Sequence, residues 1–141
     1  MNTSIQLDKN FFTGGRSTFT IDNGKGTHYT FRIKKPSWDE RARCVFVLTG
    51  PDNENSYTYL GMFCQFTGTV KLTSKSKMNG ESLPVKVIRW AMKHVFTDKV
   101  LPDGYSIRHM GKCGCCGRAL TVPESLIRGI GPECWAKLGG A

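Results

Sequence analysis

The sequence predicts an α+β fold: an antiparallel meander of about five strands, one helix packed on it, and a small cysteine-bearing module after them. Three observations carry this prediction. The first half alternates apolar and polar residues, residues 84–96 repeat at the helical period, and four of the six cysteines crowd into residues 113–134.

Residues 17–22 (STFTID) put Phe19 and Ile21 on one face, and residues 27–33 (THYTFRI) put Tyr29, Phe31 and Ile33 on one face with His28, Thr30 and Arg32 on the other. The Asn-Gly-Lys-Gly run between them is turn-forming, so the two segments read as a hairpin. Pro36 ends that pattern, because proline has no N–H to give a sheet. Residues 43–49 (RCVFVLT) are mostly apolar and suit a central strand; residues 50–55 are a turn by composition; residues 57–65 and 67–73 supply two further strands. Residues 84–96 (PVKVIRWAMKHVF) open with proline at a first helical position and gather Val87, Ile88, Ala91, Met92 and Val95 on one side. Residues 105–109 form a short strand leading into the cysteines. The expected organisation is a β-rich domain with one helix over 1–104 and a module over 105–141 packed on it.

Hydrophobic residues are 39% of the chain and charged residues 22%, enough for a core without disulfides. The start, MNTSIQLDKN, lacks a basic stretch followed by an apolar run, and no segment has the roughly 18 apolar residues of a span. The expectation is a soluble cytoplasmic protein with no membrane partner and no small-molecule substrate. Net charge is +9 and uneven: residues 71–118 hold ten Lys/Arg against three Asp/Glu, a net +7. Such a local excess favours a polyanion, nucleic acid above all. The expected contacts are Lys86, Arg89 and Lys93 on one helix side, with Arg108, Lys112 and Arg118 around the cysteines. Tyr57 and Tyr59 would stack on bases if they face outward, and belong to the core if they do not.

In a cytosolic chain, clustered cysteines point to a metal. Cys113-x2-Cys116 followed by Gly117 is a zinc knuckle, with the glycine allowing a left-handed turn. Gly131-Pro132-Glu133-Cys134 reads as a helix start, where N–H groups and the dipole favour a thiolate. His109 is the expected fourth ligand, giving a closed shell and hence a structural Zn2+ in a treble-clef-like module. Cys115 is a surplus thiol that could replace Cys116. Thr121 and Glu124 read as a capping box for a helix over 123–128 that stops at Gly129. Cys44 and Cys64, in apolar surroundings, are expected as small core residues.

The run His109-x3-Cys113-Gly114-x-Cys116-Gly117-Arg118-x-Leu120-Thr121-x-Pro123-Glu124-Ser125-x3-Gly129-Ile130-Gly131-Pro132-x-Cys134 resembles the signature of a poorly characterised family of small phage and bacterial proteins. Upstream, TFT at 18–20, YTFRI at 29–33, FVLTGPDN at 46–53 and YTYLG at 57–61 resemble the β-rich region of longer members. The resemblance implies a zinc-binding module and an origin on a phage or other mobile element, hence a host cytoplasm. It implies no activity. Cys115 departs from the signature.

Two functions therefore compete: a zinc protein that binds nucleic acid through its basic surface, DNA or RNA, and a non-enzymatic factor that binds and inhibits a host enzyme or defence complex. An enzyme is not expected. His28 and His94 have no neighbouring nucleophile or carboxylate pair, Asp39-Glu40 is a lone acidic pair, and no phosphate loop is present.

Overall fold

The alternating segments become strands at the faces their patterns require. In the computed structural model, which describes residue 7 and residues 9–51, 56–97, 99 and 101–138, β1 (Arg16–Asp22) and β2 (His28–Lys34) pair antiparallel from Arg16↔Lys34 to Asp22↔His28. Their loop is tied by side chains: the Asn23 oxygen accepts the N–H groups of Lys25 and Thr27, and Asp22 accepts that of Gly24. β3 (Cys44–Leu48), β4 (Tyr57–Phe63) and β5 (Val70–Lys71) continue the meander. The turn expected over 50–55 lies in part outside the described residues.

A sixth strand, β6 (Ser106–His109), crosses back to the free edge of β1, with Thr20↔Arg108 and Phe19↔His109 in register. The antiparallel sheet is therefore ordered β5-β4-β3-β2-β1-β6: the short strand expected over 105–109 forms and joins the five-strand meander as its edge. The boundary expected after residue 104 falls just before a strand of this same sheet, and Cys113, Leu120 and Ile130 share one core cluster with Phe11 and Phe19.

One sheet face carries Phe19, Ile21, Phe31, Ile33, Val45 and Val47, none more than 3% exposed. Two helices close it. α2 (Leu83–Phe96) buries Val85, Ile88, Ala91, Met92 and Val95, with proline in its first turn as the sequence indicates. α1 (Lys9–Thr13) buries Phe11 and Phe12, and the Phe12 ring meets Phe19 edge-on at 4.9 Å. Each such side chain contributes on the order of 1.5–3 kcal/mol of burial. Arg43 is also buried; its guanidinium donates to the carbonyls of Thr13, Glu40 and Ala42, fastening the end of α1 to the start of β3. No helix among the described residues is long and apolar enough to cross a membrane.

Several expectations need correction. α1 was not legible. The strand expected over 67–73 shrinks to Val70–Lys71, because Gly68 turns with φ 76° and the Phe96 ring lies 2.5 Å from where its Cβ would stand. Cys44 is half-buried and Cys64 exposed, so neither is a core residue. Cys44 is opposite Met62, to whose sulfur its thiol donates at 3.7 Å, while Cys64 lies just beyond the end of β4.

Candidate metal centre and basic groove

After β6 the chain makes a knuckle. Lys112 and Ala119 form an antiparallel bridge, the Cys113 N–H donates to Arg118 O, and Gly117 turns with φ 78°. Two short helices follow, α3 (Pro123–Arg128) and α4 (Pro132–Lys137). Gly129 ends α3 in the left-handed conformation, as expected. The expected capping box does not form: the residue capping α3 is Val122, which has no side-chain oxygen to offer, and Pro123 sets the start instead. α4 begins at Pro132, and Cys134 sits in its first turn.

This arrangement gathers the sulfur atoms of Cys113, Cys116 and Cys134 within 4.8 Å of one another, so the three could hold a metal ion. Thiolates bonded at about 2.3 Å in a tetrahedron stand roughly 3.8 Å apart, so the group is close to a ligating arrangement. The backbone prepares it as well. The N–H groups of Cys115 and Gly131 donate to the Cys113 sulfur at 3.4 and 3.3 Å. Burial pushes the Cys113 thiol up, but the N–H donors of Gly131, Cys116 and Cys115 outweigh it and bring it down to about 7. Cys134 is pushed up to about 12, by burial first and then by hydrogen bonding to Cys116 and Cys113 and their charge. Ionised sulfurs this close repel one another, and a divalent ion held among them would reverse that balance.

His109 is not in this sulfur group. Its register opposite Phe19 turns it to the core side of β6, where its ring lies 6.0 Å from that of Phe11. Its Nδ1 accepts the Gly111 N–H, which leaves the proton on Nε2, and Nε2 donates to the carbonyl of Leu126. Both nitrogens thus hold backbone. Cys115 is half-buried near the group, its thiol pushed up to about 11 by burial and by Cys113.

The six cations expected to act together are divided by the sheet. Lys86, Arg89 and Lys93 ride on α2, over the core face: Lys86 pairs with Glu81 at 3.2 Å, Arg89 Nε donates to Val70 O at 3.1 Å, and Lys93 is exposed. Arg118 stands beside the cysteines and pairs with Glu133 at 3.5 Å. Arg108 lies opposite Thr20, on the other face of the sheet.

That other face holds a groove of about 640 Å³. Arg16, Arg32, Arg108 and Lys112 line it, against one lining carboxylate, Asp22, so the formal charge there is four positive less one negative, +3. Asp22 accepts from Arg108 at 2.8 Å. Its carboxyl is held below the usual carboxylate range by the Gly24 N–H, with Arg108 adding to the effect against some desolvation. Thr18, Thr20 and Thr30 form the floor, and Tyr57 closes one end with the Arg32 guanidinium 4.0 Å above its ring. Arg16 and Arg32 were missed as site residues. The outward position of Arg32 was legible, but nothing local joins residues 16, 32, 108 and 112.

Residues 106–139, from β6 through α4, match DUF6011, a family of unknown function, and the signature from His109 to Cys134 lies inside that stretch. No curated protein matches the chain. No solved structure matches it either, so its similarity to known proteins rests on the segment that holds the three cysteines.

Proposed function

We propose that this is a non-enzymatic protein that binds nucleic acid through the groove on the open sheet face, with one structural zinc ion on Cys113, Cys116 and Cys134 beside it. The observation that carries the reading is the convergence of Arg16, Arg32, Arg108 and Lys112 from β1, β2, β6 and the knuckle on one cavity. Phosphates are the groups such a set suits, and arginine guanidinium is the better donor to them. Zinc is the reading for the metal because a thiolate knuckle paired with a helix start suits tetrahedral sulfur ligation, treble-clef fashion. His109 is turned to the core, so the three sulfurs leave a fourth position open; the ion's role as a staple follows from its joining the knuckle to α4, which would hold Lys112 and β6 in place.

The test is fluorescence anisotropy of a labelled oligonucleotide over a salt series. Three or four phosphate contacts should give a log–log slope of about −2.1 to −2.8 for a single strand or −2.7 to −3.6 for a duplex. No binding, or affinity that stays flat with salt, would overturn the reading. A second reading, a factor that captures a host enzyme or defence complex, draws on Val122, Leu126 and Ile127, which are 39%, 41% and 52% exposed on and before α3. A stoichiometric partner recovered from nuclease-treated host lysate would favour it.

A further inference from the structure

We infer that the occupant of the groove is a single strand, laid across the sheet with its phosphates at the β6–β1 end and a base stacked at the β4 end. This rests on the nucleic-acid reading above and names its substrate class.

The two ends of the groove differ in chemistry. At one end stand Arg108, Lys112 and Arg16. At the other stand Tyr57 and the guanidinium plane of Arg32 above its ring, 4.0 Å from the centroid. The register extends this aromatic end: Arg32 is opposite Phe46, and Phe46 opposite Tyr59, whose rings meet at 5.7 Å on the same face. Tyr57, Phe46 and Tyr59 are half-buried, each seated in the sheet with part of its surface exposed. From β6 to β4 the strand order leaves four gaps, roughly 19 Å at about 4.8 Å each. That span suits on the order of four nucleotides.

Between the ends lie threonines. Thr20 and Thr30 are cross-strand partners with hydroxyls 2.7 Å apart, and Thr18 is opposite Arg32. Hydroxyls offer a phosphate or sugar a hydrogen bond without selecting a base, so binding should tolerate any sequence.

A duplex fits these features poorly. Its base faces are stacked away, so the aromatic end would have nothing to hold. Reading a duplex from outside needs a helix or ribbon that enters a groove, whereas here the cations line a concave surface. A single strand offers phosphates to one end and an unstacked base to the other.

The experiment compares four probes at one salt concentration by anisotropy: a 12-nucleotide thymidine strand, the same length of uridine RNA, a 12-base-pair duplex and an abasic 12-mer. Either single strand should bind at least tenfold tighter than the duplex. Tyr57→Leu, which keeps apolar bulk at the site, should weaken the base-bearing strands about 5- to 100-fold and leave the abasic strand unchanged. Tyr57→Phe, which keeps the ring, should retain affinity. A duplex bound as tightly as the single strands, or Tyr57→Leu without a base-dependent effect, overturns the inference and leaves the phosphate-binding reading standing. No binding of any probe, or binding abolished by Lys86→Ala with Lys93→Ala on α2 while Arg108→Ala is silent, overturns both.

Discussion

Between β1 and α2, Phe19, Phe31, Ile88 and Met92 have no exposed surface; in α4 no residue is buried, and in α3 only Ser125 is. The sheet body is rich in fully buried apolar side chains. The α3–α4 region has fewer: Cys134 and Trp135 pack in part on the cluster that holds Cys113, Leu120 and Ile130, and His109 hooks the carbonyl of Leu126. The contrast teaches where a bound metal would matter most. Zinc would act where the core runs out, on three sulfurs drawn from the knuckle and the first turn of α4.

The strongest way to break this contrast is to remove the metal. Structural zinc binding is worth an apparent 10–16 kcal/mol or so in small modules, so chelation or Cys113→Ser should release α3 and α4. Hydrogen exchange should show their amides losing protection while those of β1 to β4 keep theirs; equal loss in both regions would mean that the body depends on the metal too. Metal analysis should find one zinc per chain, and Cys116→Ser should lower that occupancy.

Core truncations come next. Phe31→Ala should cost the body about 3–5 kcal/mol in urea unfolding. Leu138→Ala, at a side chain 48% exposed, should change stability by less than about 0.5 kcal/mol. Similar costs at both sites would erase the distinction.

Gly129→Ala tests the joint between the regions. Its φ is +79°, and a Cβ there would stand 2.6 Å from the Phe11 ring and 2.8 Å from Leu7. Left-handed strain and overpacking together should cost about 2–4 kcal/mol.

The smallest effect concerns pH. The Asp22 carboxyl is depressed below 3.8 in the fold, so its stabilisation is present above that value and lost as pH falls through the folded pKa. The gap in melting temperature between wild type and Asp22→Asn should be constant near neutrality and close below about pH 4. A gap that widens in acid would contradict the depressed pKa.

Local pattern made much of this legible. The β1–β2 hairpin, α2, the stop at Gly129 and the placing of Cys134 in a helical first turn all follow from residues within a few positions of each other. What failed was non-local. α1 has five residues, too few to show a period, and it is helical because Phe11 and Phe12 find the sheet. His109 has the right spacing for a ligand, yet its pairing opposite Phe19 decides which way it faces. The basic excess in residues 71–118 is real, but α2 carries part of it to the core-side of the sheet, while Arg16 and Arg32, outside that stretch, join the groove.

The late arrival of β6 bears on synthesis. Phe19 waits for His109, 90 positions later, before that edge of β1 is covered. At about 5–20 residues per second, the nascent chain carries an unpaired strand edge for roughly 5–18 s. Such an edge is a template for pairing with neighbouring chains. Arg16 and Asp22 stand at its two ends, and an antiparallel copy in register would set these opposite charges against each other, so they offer no protection in the interval. The arrival of β6 is therefore what closes this edge, and nothing in β1 itself does so sooner.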